Sequence, residues 1–222
     1  MPVLDSGAKA LPLATALTEC QLAELHRDCV NRINEYRAGS ITFSNGRTDC
    51  LASNGTLRAY NHAVLEDQCH DEGALGDLVQ FLTPGQGCAH YTPWACTNFG
   101  GSQGQNSCCL RSGTSYSVIQ TALYDCLQQM WDEGENMPCD APFNESTGHW
   151  QNMRSPNLIY ASCGFAFDSA GDLFMVQNFA SSYSGTAPTP GLKSPTSFSP
   201  GTTQSPFTSL MLLLFAFSLR FT

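Results

Sequence analysis

The sequence predicts an α+β domain stapled by disulfides, and three observations predict it. Three stretches in the first two thirds repeat apolar residues at a helical period, two late stretches alternate apolar residues at period two, and eleven cysteines are scattered from 20 to 163. Helices first and strands last suit a layered α+β chain better than a parallel, doubly wound one.

The first helix is read in "TECQLAELHRDCVNRINEYR", where Leu22, Leu25, Cys29, Val30, Ile33 and Tyr36 fall on one face and Thr18 with Gln21 forms a capping box. A second is expected in "NGTLRAYNHAVLEDQC", through Leu57, Tyr60, Val64 and Leu65. The third has the broadest stripe: Ile119, Leu123, Cys126, Leu127, Met130 and Trp131, with Thr114 or Ser115 to cap it and Gly134 to stop it. The period then changes. "NLIYASCGFAF" and "GDLFMVQNFA" alternate about Asp168-Ser169-Ala170-Gly171, which predicts a β-hairpin.

With 222 residues and 42% hydrophobic content, the chain can bury one substantial core. No cysteine pair has the CxxC spacing of a zinc ribbon, so the cysteines read as disulfides of an oxidising compartment. Their number is odd, so one thiol is left over or pairs outside the chain. Two sequons, at Asn54 and Asn144, point to the same compartment as glycosylation sites. The 10 basic and 19 acidic residues give a charge of −9 without a basic run, which disfavours nucleic acid as a partner.

The domain is expected over residues 18–181. Residues 1–17 offer only a weak or truncated signal region, Ala10 to Leu17 with an Ala14-Thr15-Ala16 box. Residues 182–206 are rich in Ser, Thr, Pro and Gly and read as a solvated stalk. In the final segment, 207–222, the apolar run Phe207 to Leu219 would reach about 20 Å as a helix, short of a hydrocarbon core of roughly 30 Å. A short apolar end behind a polar spacer instead has the pattern of a lipid-anchor (GPI) attachment signal, with Ser197, Ser199 and Gly201 as attachment points. That pattern implies membrane attachment at the cell surface and is preferred to a short inserted tail.

Several segments, in order, resemble the CAP superfamily of cysteine-rich secretory, antigen-five and pathogenesis-related class-one proteins. Asn34-Glu35-Tyr36-Arg37 resembles its Asn-x-x-Arg, Gly104-Gln105-Asn106 its central Gly-Glu-Asn, and Trp131-Asp132-Glu133 its Trp with a following acid. Gly148-His149-Trp150 with Ser162-Cys163-Gly164 is similar to its Gly-His-aromatic and Gly-Cys-Gly pair. The resemblance covers residues 18 to 180. It implies a three-layer α/β/α sandwich of the SCP-like type, with a cleft holding two histidines and two acids.

Carried onto this chain, the cleft tetrad is His90, Gln105, Glu133 and His149. His90 suits the order better than His70, and Glu135 competes with Glu133. Gln105 cannot ionise, so it can neither act as a base nor give a metal a charged ligand. His90 and His149 could hold Zn²⁺ weakly, although no cofactor is required. No Gly-x-Ser-x-Gly or His-Glu-x-x-His motif is present, and the disulfide-rich setting argues against a catalytic cysteine. The resemblance therefore favours a secreted or surface-anchored module that binds a lipid, a sterol or an extracellular protein, over a metal-assisted hydrolase or protease. Phe81, Leu82, Tyr91, Trp94 and Phe99 could line a groove or fill a core. Trp150 and Met153 are expected to be packing residues, and Asn152 to orient His149 or pin a loop.

Overall fold

The computed structural model describes residues 17–47, 57–82, 88, 96, 98–111, 113–138, 141–168 and 172–185. The presumed signal region before Leu17, Asn54, His90, Tyr91, Trp94, the stalk beyond Gly185 and the apolar tail lie outside them. Met1–Gly185 forms one compact unit. Among the described residues no helix is long and apolar enough to cross a membrane.

Helix α1 (Glu19–Arg37) starts at the expected capping box: Gln21 N–H donates to Thr18 Oγ1 (3.2 Å) and Thr18 N–H donates to Gln21 Oε1 (2.9 Å). Its far end is fixed by the Asn-x-x-Arg pair. Asn34 clamps the backbone of Tyr60, accepting from its N–H (2.7 Å) and donating to its carbonyl (3.1 Å). Arg37, 1% exposed, donates to the carbonyls of Arg58, Met153 and Ser155 and lies 3.8 Å from the Tyr60 ring centroid. A buried guanidinium spread over three carbonyls and an aromatic face ties three segments together at the end of one helix.

These contacts account for the main departure from the expected elements. Residues 57–60 do not continue a helix. With Tyr60 held by Asn34, the chain is drawn out beside the sheet, where Asn61 and Ala63 N–H donate to Ile159 and Ala161 carbonyls (2.9 Å each). Strand β1 (Asn61–His62) is the result, followed by a 3-10 turn, Val64–Glu66, and helix α2 (Asp67–Phe81). Val64 and Leu65, taken as core positions of the second helix, are 56% and 60% exposed. Tertiary partners override a loose apolar period here.

Strand β2 (Phe99–Arg111) was not legible, because "FGGSQGQNSCCLR" has three glycines and no apolar alternation. Helix α3 (Tyr116–Asp132) bears the predicted stripe, all of it buried, after Ser115 as N-cap. Helix α4 (Gly148–Arg154) is a single short helix, and strands β3 (Tyr160–Phe167) and β4 (Asp172–Tyr183) form the expected hairpin. Strand β4 runs past the expected boundary at 181, and Ser184 N–H donates to the Asn98 carbonyl.

The sheet order is β1-β3-β4-β2, parallel between β1 and β3 and antiparallel elsewhere. Alternation along β3 separates two layers. Ala161, Cys163, Phe165 and Phe167 join the main core with residues of α1, α3 and α4, while Ala166 packs with Ala74 and Leu78 of α2 on the other face. The class is α+β, with helices on both faces of a mixed sheet. Trp131, wholly buried, stacks between Tyr36 and Phe43, and Trp150 and Met153 are also fully buried, as expected of packing residues.

Four disulfides lie among the described residues. Cys29–Cys163 joins α1 to β3, Cys108–Cys126 joins β2 to α3, and Cys69–Cys96 and Cys88–Cys109 tie α2 and β2 to the segment between them. Cys20 is a free, exposed thiol.

Candidate functional site

Glu133 follows the last turn of α3 and His149 opens α4, so two helix ends bring them together. One carboxylate grips His149 twice: its backbone N–H donates to Oε2 (3.1 Å) and its ring Nδ1 lies 2.5 Å from Oε1. A carboxylate only accepts, so Nδ1 carries the proton and Nε2 is the imidazole's remaining polar atom. The turn after Glu133 is itself pinned. Arg47 donates to the carbonyls of Glu135 (2.6 Å) and Met137 (2.7 Å), and Gly134 packs so closely on Trp150 that an added Cβ would fall 2.2 Å from the ring. Glu133 is therefore held by a pinned turn with its carboxylate on His149, while the Glu135 carbonyl accepts from Arg47.

The pair lies in a cavity of about 400 Å³, lined also by Ser107, Gln129, Met130 and two disulfides, Cys88–Cys109 and Cys108–Cys126. Five of its nine lining residues carry sulfur, as Met130 and two disulfides. His149 and Glu133 side chains are 39% and 26% exposed, so the cavity opens to solvent. Ser107 is the one hydroxyl in the lining, and no hydrogen bond joins it to His149 among those described.

Gln105 is half-buried in β2, in register with Asn178, and is not among the residues lining this cavity. Its neighbour Asn106 is the inward residue, wholly buried, donating to the His149 carbonyl (3.2 Å) and to Gln177 Oε1 (3.1 Å). Asn152 donates to the Gln105 carbonyl and to Asn106 Oδ1, so it pins β2 and leaves the imidazole to Glu133. Of the four expected tetrad positions, Glu133 and His149 touch, Gln105 stands apart from them, and His90 lies outside the described residues.

His70 belongs to another cluster. Helix α2 carries Asp67, His70 and Asp71 on one face, against His26 of α1, His62 of β1 and Ser162 of β3. Ser162 Oγ donates to Asp67 Oδ1 (2.7 Å), so His70 Nδ1 donates to Ser162 (2.8 Å). Asp71 accepts from Phe165 N–H (2.8 Å) and meets His26 Nε2 at 2.9 Å, while His62 Nε2 meets Asp67 at 2.9 Å. Burial lowers the His70 pKa to about 4. Burial would also lower His26, but the hydrogen bond and charge of Asp71, with Asp67 behind it, outweigh that and raise it. Burial raises Asp71, against the pull of His26. With Ser162 wholly buried and His70 2% exposed, this cluster locks α2 onto the sheet.

Among the described residues, one set of donors has the spacing to hold a metal: Glu66, His70 and Cys96. Cys96 is bonded to Cys69, so it offers no thiolate, and the set fits no thiolate-bound ion. Three of the five residues that could line a groove or fill a core are described. Phe81 packs on Phe174, Phe99 lies against His70 and Tyr183 in the core, and Leu82 is 38% exposed.

No family model matches the chain, and no curated protein matches it. Among solved structures the chain is similar to BmVAL-1, at 15% identity over 75% of this chain and 79% of that one, with a TM-score of 0.43. It is similar to NaASP2 solved with Zn2+, at 11% identity over 76% of this chain and 83% of that one, with a TM-score of 0.42. It is also similar to the Schistosoma mansoni venom allergen-like protein 4, at 13% identity over 76% of this chain and 92% of that one, with a TM-score of 0.42.

Proposed function

We propose that this chain is an extracellular binding module built on a CAP-type domain, and that its ligand, a lipid, a sterol or an apolar segment of an extracellular protein, enters the cavity beside His149. The observation that carries the reading is the cavity wall. Met130 and two disulfides give it soft, apolar surface, and one carboxylate-oriented imidazole gives it a polar end, which is how small-molecule sites combine affinity with orientation. Hydrolysis needs more. A nucleophile beside its base is missing among the described lining residues, since Ser107 is not bonded to His149.

For zinc, the fit is partial. His149 would hold it through Nε2 with Glu133 orienting the ring, an arrangement common around zinc, and a bound ion would supply Lewis acidity. A catalytic zinc keeps about three protein ligands, and the described residues here supply one imidazole. The binding reading needs no metal.

The experiment is a capture assay of sterols and fatty acids on purified protein, run beside a peptide-hydrolysis panel. Saturable capture with the ligand recovered unchanged is expected. Peptide cleavage abolished by His149→Ala would replace the module with a hydrolase. Display at the surface through a lipid anchor is part of the same proposal, and mass spectrometry of the mature C-terminus tests it: an intact Thr222 would remove the anchor.

A further inference from the structure

A second concavity, of about 610 Å³, shares no lining residue with the cavity beside His149 and is lined by different chemistry. Ser102 and Gln103 of β2, Gln151, Asn152 and Arg154 of α4, and Phe143 surround it. Ala141, Pro156 and Leu158 join Phe143 as apolar wall, and Ser155 and Asn157 extend the hydroxyl and amide groups, so the lining is evenly polar and apolar with one guanidinium and no carboxylate. Such groups are donors and acceptors suited to a neutral, hydroxyl-rich ligand.

Ala141 and Phe143 form one wall, and Gln151 of α4 ties down the segment that carries them. Gln151 accepts from Asn144 N–H (3.2 Å) and donates through Nε2 to the Pro142 carbonyl (2.7 Å). Phe143 is fixed between those two bonds, 69% exposed, with its ring edge near Gly148, where an added Cβ would lie 3.6 Å away. An aromatic face presented beside a groove by a fixed backbone is a ready stacking surface for a ligand seated there. Next in sequence is the sequon residue Asn144, itself exposed. Its Oδ1 accepts from Ser146 N–H and Ser146 Oγ, both at 3.0 Å, so Nδ2 is the amide's outward atom.

We propose that this groove seats the first sugars of an N-glycan carried by Asn144, with the face of Phe143 as the stacking platform and Ser102, Asn157 and Arg154 as partners for the acetamido and hydroxyl groups. The inference rests on the extracellular reading above, because attachment needs the secretory route. Attachment forms a bond from Asn144 Nδ2 to the reducing-end C1 of an oligosaccharide, breaks the bond of that carbon to a lipid pyrophosphate donor, and releases one amide proton. The aromatic quadrupole then meets the C–H face of the first pyranose. The glycan becomes a structural part of the domain.

The test is a double-mutant cycle on the full chain expressed in glycosylating eukaryotic cells. Wild type, Phe143→Ala, Asn144→Gln and the double variant are compared by glycopeptide mass spectrometry and thermal unfolding. Asn144 is expected to be occupied, and each single substitution to lower Tm by about 2 °C or more. The double variant is expected to fall no further than Asn144→Gln alone, and Phe143→Trp to keep the wild-type Tm. Occupied Asn144 with additive effects overturns the seat while leaving glycosylation in place. Unmodified Asn144 in a secreted product overturns the inference at its root.

Discussion

The residue that most determines the site is Glu133, because one carboxylate fixes both the backbone and the ring of His149. Its partner was legible as a Gly-His-aromatic triplet. Its own position was harder to read, since Glu133 and Glu135 are two residues apart and only the folded turn, whose carbonyls at Glu135 and Met137 bind Arg47, brings the Glu133 carboxylate onto His149. The His70 cluster was not legible, for a physical reason: Asp67, His70 and Asp71 are spaced three and four apart, but that face cannot be read until the helix is known to begin at Asp67. Two outcomes follow at this scale. Gly164 lies so close to α2 that an added Cβ would fall 2.1 Å from the His70 carbonyl oxygen, a backbone atom, so Gly164→Ala is expected to cost about 2–4 kcal/mol by urea unfolding. For pH, burial holds His70 at about 4 against 6.5 when free. A depressed histidine contributes stability that is complete above pH 6.5 and is lost as pH falls toward 4, up to roughly 3 kcal/mol. His26, raised, has the opposite slope: its contribution is full below 6.5 and fades as pH rises through its folded value. Wild type should therefore lose more stability between pH 7 and 4.5 than His70→Asn does. Equal losses would remove His70 as the titrating group.

Among the elements, strong periodicity was a reliable guide and weak periodicity was not. Helices α1 and α3 and the β3–β4 hairpin stand where the apolar pattern puts them, because each packs one face on the sheet core. Residues 57–66 are claimed by Asn34 and by the edge of β3, and β2 is an edge strand whose glycines hide it, with Gly101 at φ 69° making a bulge between Gly100 and Gln103. The disulfides tie these weak elements to the strong ones. Cys29–Cys163 closes the longest described loop, 134 residues, between the first helix and a central strand. Replacing both cysteines with alanine is expected to cost about 3–5 kcal/mol in denaturant unfolding, more than removing Cys88–Cys109, which spans 21 residues. The reverse ranking would show that strain or local packing, and not loop entropy, sets their worth.

Over the whole molecule, the proposed extracellular binding module rests on the disulfides among the described residues and on a solvent-open cavity with two of them in its wall. On that proposal, disulfides in the cavity wall spare a ligand part of the cost of ordering it. Met130 is the residue through which this account is most exposed, since it lines the cavity and sits at the edge of the core, 4% exposed. Met130→Gln keeps the volume and adds polarity. The most direct measurement is saturation binding of labelled sterols and fatty acids to wild type and Met130→Gln, with the bound ligand recovered and its mass determined. The account predicts saturable capture by wild type, at least tenfold weaker capture by the variant, and ligand returned at its original mass. Ligand returned chemically altered, or wild type and Met130→Gln binding alike, would contradict it.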